Sequence, residues 1–79
     1  IERDTIAPSG EKGKTKNGRG FNPEGYNKLY NEEDELWLDG NFKTGRLFDG
    51  KEYVYDSDGI LTKIKIYKNG KYHSDGVLD

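Results

Sequence analysis

Acid–base or metal chemistry in this chain would have to start from His73. It is the single histidine among 79 residues, and there is no cysteine. It follows Tyr72 and precedes Ser74, with Asp75 the nearest carboxylate in sequence. A zinc site needs four protein ligands, or three and a water, and one His–Asp pair does not supply them. An enzyme needs a nucleophile, an acid–base pair or a metal held in a cleft. His73 therefore reads as a surface residue on a terminal strand. The sequence predicts a non-enzyme, with no catalytic residue, no metal ligand set and no cofactor.

Two acidic clusters remain. Asp56-Ser57-Asp58-Gly59 alternates carboxylates before a glycine, as calcium loops do. An EF-hand loop needs a third ligand before its glycine and a glutamate further on, and neither is present. A hairpin turn explains each of these four residues. Glu32-Glu33-Asp34-Glu35 is a run of four carboxylates. It reads either as a docking patch for a basic partner or as a solvated loop that keeps an exposed edge soluble. Lys63, Lys65, Lys68 and Lys71 form a basic stripe that reads as a solvated sheet face.

The aromatic residues are the stronger signal. Six Tyr, three Phe and one Trp exceed what so short a chain needs for a core. Many fall at strand positions, where aromatic ladders stabilise a sheet by about 0.2–1 kcal/mol per cross-strand pair. Tyr and Trp also bury much area at interfaces for little entropy. Tyr30, Trp37, Tyr53, Tyr55, Tyr67 and Tyr72 are accordingly the candidate protein-contact residues.

The elements that must position them read as strands. Short apolar runs alternate with Gly, Asn and Asp turns, and no window carries the helical i, i+3, i+4, i+7 pattern over three turns. Tyr26–Tyr30, Glu35–Phe42, Lys51–Tyr55 and Ile60–Tyr67 are predicted strands, with a short one in Tyr72–Leu78. Asn31–Asp34, a turn lacking its glycine, Lys43-Thr44-Gly45, Asp56–Gly59 and Lys68–Lys71 are the turns. In the Ile60–Tyr67 strand, Ile60, Thr62, Ile64 and Ile66 share one face, and Leu61, Lys63, Lys65 and Tyr67 the other. The expected fold is all-β, an antiparallel meander of five or six strands.

The strands repeat. Tyr30 falls on Tyr55, Leu36 on Leu61, Phe42 on Tyr67 and Gly45 on Gly70, each at an offset of 25 residues. A fixed period of this size is the mark of stacked supersecondary units. The spacing aromatic-x-x-Gly, Gly, Tyr appears as Phe42–Gly45, Gly50 and Tyr55, and starts again at Tyr67–Gly70 and Gly76. Together with Tyr-Asp-Ser-Asp-Gly-Ile-Leu at 55–61, it resembles the MORN-repeat family, in the bacterial variant of proteins named after the antitoxin YwqK. The likeness covers residues 20–79. It implies a row of β-hairpins in one sheet layer, and roles in scaffolding and protein binding, with toxin neutralisation in some relatives. The chain departs from the eukaryotic pattern, which is shorter and richer in Trp-x-x-Gly. The family has no agreed catalytic residues to carry over.

Residues 1–19 read differently, as an extended or disordered basic tail ahead of a repeat module at 20–79. Between Ala7 and Phe21 there is no apolar residue. The tail holds five basic and three acidic residues, +2; the module holds eight and twelve, −4. An acidic module argues against nucleic acid, since phosphate contacts need clustered Lys and Arg. No apolar run of about 18 residues suggests a membrane span, so a direct membrane role is not expected. The expected partner is a protein, met by the sheet face, the terminal strand edge and the tail. The chain begins with Ile1, not Met, and reads as a processed product, a fragment or a segment of a longer protein. Removal of a signal before Ile1 would place it in the periplasm or cell envelope; the alternative is the cytoplasm. The functional reading is a protein-binding accessory subunit or scaffold of a bacterial assembly, and the alternative is an antitoxin or immunity protein acting by contact.

Overall fold

The computed structural model describes residues 6–16 and 20–78. Five antiparallel strands form one open sheet in chain order. They are β1 (Tyr26–Tyr30), β2 (Leu36–Lys43), β3 (Arg46–Tyr55), β4 (Leu61–Lys68) and β5 (Lys71–Asp75). There is no helix among the described residues. The fold is therefore all-β, a meander of β-hairpins.

The 25-residue repeat is carried by the hydrogen-bonded register itself. Tyr26 opposite Asn41 becomes Lys51 opposite Ile66, and Leu29 opposite Leu38 becomes Val54 opposite Lys63. Phe42 opposite Leu47 becomes Tyr67 opposite Tyr72. The irregularities repeat too. The register slips at Leu29/Tyr30 and again at Val54/Tyr55, then at Asn41/Phe42 and again at Ile66/Tyr67.

Two kinds of turn alternate. Thr44-Gly45 and Asn69-Gly70 each put two successive residues at positive φ, between 55° and 79°. That is the type I′ geometry whose twist matches a hairpin. Each tip is held in the same way by a segment earlier in the chain. The Thr44 amide donates to Glu24 and the Gly45 amide to the Pro23 carbonyl; 25 residues on, Asn69 donates to Asp49 and Gly70 to Phe48. The other two turns are Asx loops. Asn31 Oδ1 accepts from the Glu33 and Glu35 amides, as Asp56 Oδ1 does from Asp58 and Ile60. The turn that lacks a glycine closes with Asp34 at φ 65°, where its counterpart Gly59 has φ 80°. Asp tolerates the left-handed region better than most residues. Replacing Gly59 by alanine is expected to cost about 1 kcal/mol, read as a lower urea midpoint.

The core lies on one face of the first repeat. Leu29, Leu38 and Leu47 are fully buried, with Phe42 and Tyr67 nearly so. Each leucine contributes about 1.5–3 kcal/mol by leaving water. The equivalents of Leu29 and Leu38 one repeat on are Val54 and Lys63, neither fully buried. The core thus draws on β1 to β4 and is densest in the first repeat.

Its cover is the N-terminal segment. Ile6–Lys16, expected to lie outside the module, runs across it, and Ala7 is fully buried. Main-chain bonds seat the segment. The Ala7 amide donates to the Gly70 carbonyl at 3.0 Å and the Gly10 amide to Gly45 at 2.9 Å, so each hairpin tip is met in turn. Lys14 and Tyr30 exchange bonds of 3.0 and 2.8 Å, which pairs part of the outer edge of β1. A Cβ on Gly10 would stand 2.7 Å from Leu29, Phe21 and Phe42. The segment fits because it has little side chain, a property that a hydropathy reading scores as a linker.

One strand expectation changes. β3 begins at Arg46 rather than Lys51, because Gly50 is a strand residue paired with Gly40. The two faces of β4 are divided as expected, and the core side is the one bearing Tyr67, Lys65 and Lys63, while Ile64 and Ile66 face the other way, half-buried. The register decides this, since Tyr67 lies opposite Gly50.

Candidate functional site

The sheet splits between β2 and β3. Their shared ladder ends at Leu38 opposite Glu52. Beyond it Leu36 stays with β1, and Tyr53–Tyr55 stay with β4. The split leaves a surface cleft of about 310 Å³ between the two Asx loops. Trp37, Tyr53 and Tyr55 line it together with Glu33, Glu35 and Glu52; Asn31, Val54 and Asp56 complete it. One bond spans the opening. The Tyr55 hydroxyl donates to the Leu36 carbonyl at 2.6 Å.

No lysine or arginine lines the cleft, and Lys65 lies opposite Glu52 in the neighbouring strand. Asn31 Nδ2 donates to Glu35 at 3.0 Å, and the Tyr67 hydroxyl donates to Glu52 at 2.9 Å. The Tyr53 phenol is held above its ordinary pKa of 10, first by burial and then by the charge of Asp39. Tyr55 is raised likewise by burial, then by Glu35 and Tyr53. Both phenols stay protonated, and therefore able to donate, throughout the neutral range.

The six predicted contact residues separate. Trp37, Tyr53 and Tyr55 meet in the cleft. Tyr30 lies at the end of β1, with the Lys16 ammonium 4.5 Å from its ring centroid. Tyr67 is 2% exposed and packs edge-on against Tyr72 at 6.2 Å. Its assignment as a contact residue is corrected here: it is a core side chain, because position 67 repeats the buried Phe42. Tyr72 is half-buried, with its hydroxyl on Asp75 at 2.6 Å. His73 Nδ1 pairs with Ser74 Oγ at 2.9 Å in an exposed position. Of the N-terminal segment expected to meet a partner, residues 1–5 and 17–19 lie outside the described residues.

Glu52 is the cleft residue that sequence reasoning missed. Alternation along β3 places it on the core side with Leu47 and Gly50. Only the end of the β2–β3 ladder at Leu38 and Glu52 brings it to the cleft. The available signal was the repeat, since Glu52 stands 25 residues after the buried Asn27.

A larger hollow of about 620 Å³ lies by the first hairpin tip, lined by Ser9, Glu11, Phe21, Pro23, Glu24, Thr44, Gly45 and Arg46. Its polar groups hold the fold. Arg46 Nη1 donates to the Ala7 carbonyl at 3.0 Å, and Glu24 receives the Thr44 amide at 2.8 Å.

The open face carries one more polar contact with a measurable consequence. The Tyr26 hydroxyl donates to Asp39 Oδ1 at 2.6 Å. That bond, ahead of burial and the Asp39 charge, pushes the Tyr26 pKa up to about 12. A phenol whose folded pKa exceeds its unfolded value of 10 contributes stability that is fully present below pH 10 and lost as the pH rises through 12. In a phenolate absorbance titration Tyr26 is expected to ionise late. Asp39→Asn is expected to advance it towards 10.

Among the described residues no group of three or more His, Cys, Asp or Glu side chains converges on a metal position. Searches of protein families, curated proteins and solved structures return no match to the chain.

Proposed function

We propose that this chain is a non-enzymatic repeat module that binds another protein, as an accessory subunit or scaffold of a larger bacterial assembly. The observation that carries the reading is the cleft, where three aromatic side chains far apart in the sequence meet at a split in the sheet. Trp and Tyr in a partly desolvated hollow ringed by polar groups are the usual anchors of a protein interface. The strand edge at β5 offers further main-chain groups to an added strand, the mode by which extended peptides join sheets. Among the described residues a single bridge, Ile6 to Lys71, touches that edge. The resemblance to MORN-type repeats points the same way.

The acidic field of the cleft favours a second reading, an antitoxin or immunity protein that masks a basic surface by contact. The two readings share the contact and differ in the partner. The shared claim is tested by Tyr53→Ala in a co-purification from the source cell. The variant is expected to stay folded by circular dichroism and to lose the co-purifying protein. Retention of the same partner at the same yield by Tyr53→Ala and Trp37→Ala would contradict it.

A further inference from the structure

We propose that the cleft between the two Asx loops seats one arginine side chain of the partner. The proposal rests on the reading of the chain as a protein-binding module and names the group that its site accepts.

The lining selects the ligand by elimination. An anion is disfavoured by Glu33, Glu35 and Glu52, with no lysine or arginine in the lining, although Lys65 stands opposite Glu52 across β3 and β4. A bare metal ion needs several convergent oxygens, and the described carboxylates form no such group. An apolar side chain would strip water from those carboxylates and return nothing for it. A cation satisfies them, and the aromatic walls decide which cation. A guanidinium is planar and weakly hydrated, stacks on aromatic faces and donates from its edge in a fork that matches a carboxylate. An ammonium is compact and strongly hydrated, so it gives up more on entering a hollow of aromatic carbon.

The acceptors are already oriented. Glu35 is held by Asn31 through Oε1, and Glu52 by the Tyr67 hydroxyl through Oε1. Tyr55 is fixed by its bond to Leu36. The volume, about 310 Å³, is at the low end for ligand pockets, which run to about 1,000 Å³, and suits one long side chain rather than a free substrate.

Trp37 is the single tryptophan, so the emission comes from one side chain, which lines the cleft and packs against the core. The probes are two blocked pentapeptides, Gly-Ser-Arg-Ser-Gly and Gly-Ser-Lys-Ser-Gly, titrated to millimolar concentration into the full chain. Trp37 emission and amide shifts are the readouts. The arginine peptide is expected to saturate the Trp37 response with an affinity about fivefold tighter than that of the lysine peptide. Glu35→Gln is expected to weaken it about fivefold. Because Glu35 also braces its loop, Glu33→Gln serves as the second variant; its side chain is exposed, and it is expected to weaken binding about twofold to threefold. Equal affinity for the two peptides would overturn the proposal. So would shifts confined to the Glu32–Asp34 backbone with Trp37 unmoved, or no response at all. A partner still lost on Tyr53→Ala while the arginine peptide gives no response would sink the arginine site and leave the binding module standing.

Discussion

Gly50→Ala is expected to destabilise the chain by about 3 kcal/mol, the upper end for an overpacked site. Domains are stable by only about 0.05–0.15 kcal/mol per residue, so the loss is a large share of the total. Gly40 and Gly50 face each other across β2 and β3. A Cβ on Gly50 would run into the Asp39 carbonyl oxygen and stand 2.7 Å from the Gly40 Cα. Backbone on both sides cannot swing away as a side-chain tip would, so the strands must part. The equivalent pair one repeat on is Lys65 opposite Asp75, which carries ordinary side chains. The repeat register therefore does not demand glycine; the close approach of β2 and β3 in the first unit does. Gly20→Ala is the control, since nothing lies within 4 Å of its added carbon. Its urea midpoint is expected to stay within experimental scatter of the parent while that of Gly50→Ala collapses.

Tyr67→Ala is expected to cost about 3–5 kcal/mol, as truncation of a buried aromatic does. The side chain is 2% exposed, touches Tyr72 and hydrogen-bonds Glu52. Tyr67→Phe separates the two contributions. It keeps the ring and removes one hydrogen bond to a carboxylate, an expected loss of about 1.5–3 kcal/mol if Glu52 finds no water. Tyr53→Ala is the contrasting substitution on the same sheet. Its phenol is half-buried on the open side, so the fold is expected to lose about 1 kcal/mol. Binding is expected to fall by more than tenfold, in the range of interface anchors. Thermal melts and partner affinity measured on both variants distinguish a core tyrosine from a contact tyrosine. If Tyr53→Ala and Tyr67→Ala lose stability equally, the assignment of faces is wrong.

The repeat was the most legible part of this sequence. Landmarks such as Tyr30 and Tyr55 carry it, and the structure extends it to hydrogen bonds and bulges. The Asn69-Gly70 turn announces itself in its residue types, and Thr44-Gly45 follows by offset. The loop at Asp34 was readable as a turn but not as a copy of Gly59, since one residue type adopts by tolerance what the other adopts freely. The start of β3 was hidden because glycine reads as a break, whereas Gly50 is required there by a close backbone contact. The N-terminal segment was hidden for a related reason. Ala7 and Gly10 pack by having little or no side chain, and their bonds are main-chain bonds that no residue type advertises. Tyr67 and Tyr53 look alike in sequence, two aromatic residues in alternating strands. The face each takes depends on register with β2 and β3. The cleft was half legible: its aromatic members stand out by type. Glu52 joins them only because the β2–β3 ladder ends beside it.

Docking of a partner at the cleft is tested by Trp37 emission during titration with the co-purified partner. A saturable change in emission is expected at the partner's binding stoichiometry, absent in Tyr53→Ala. A tight complex that forms while Trp37 emission stays constant would contradict it.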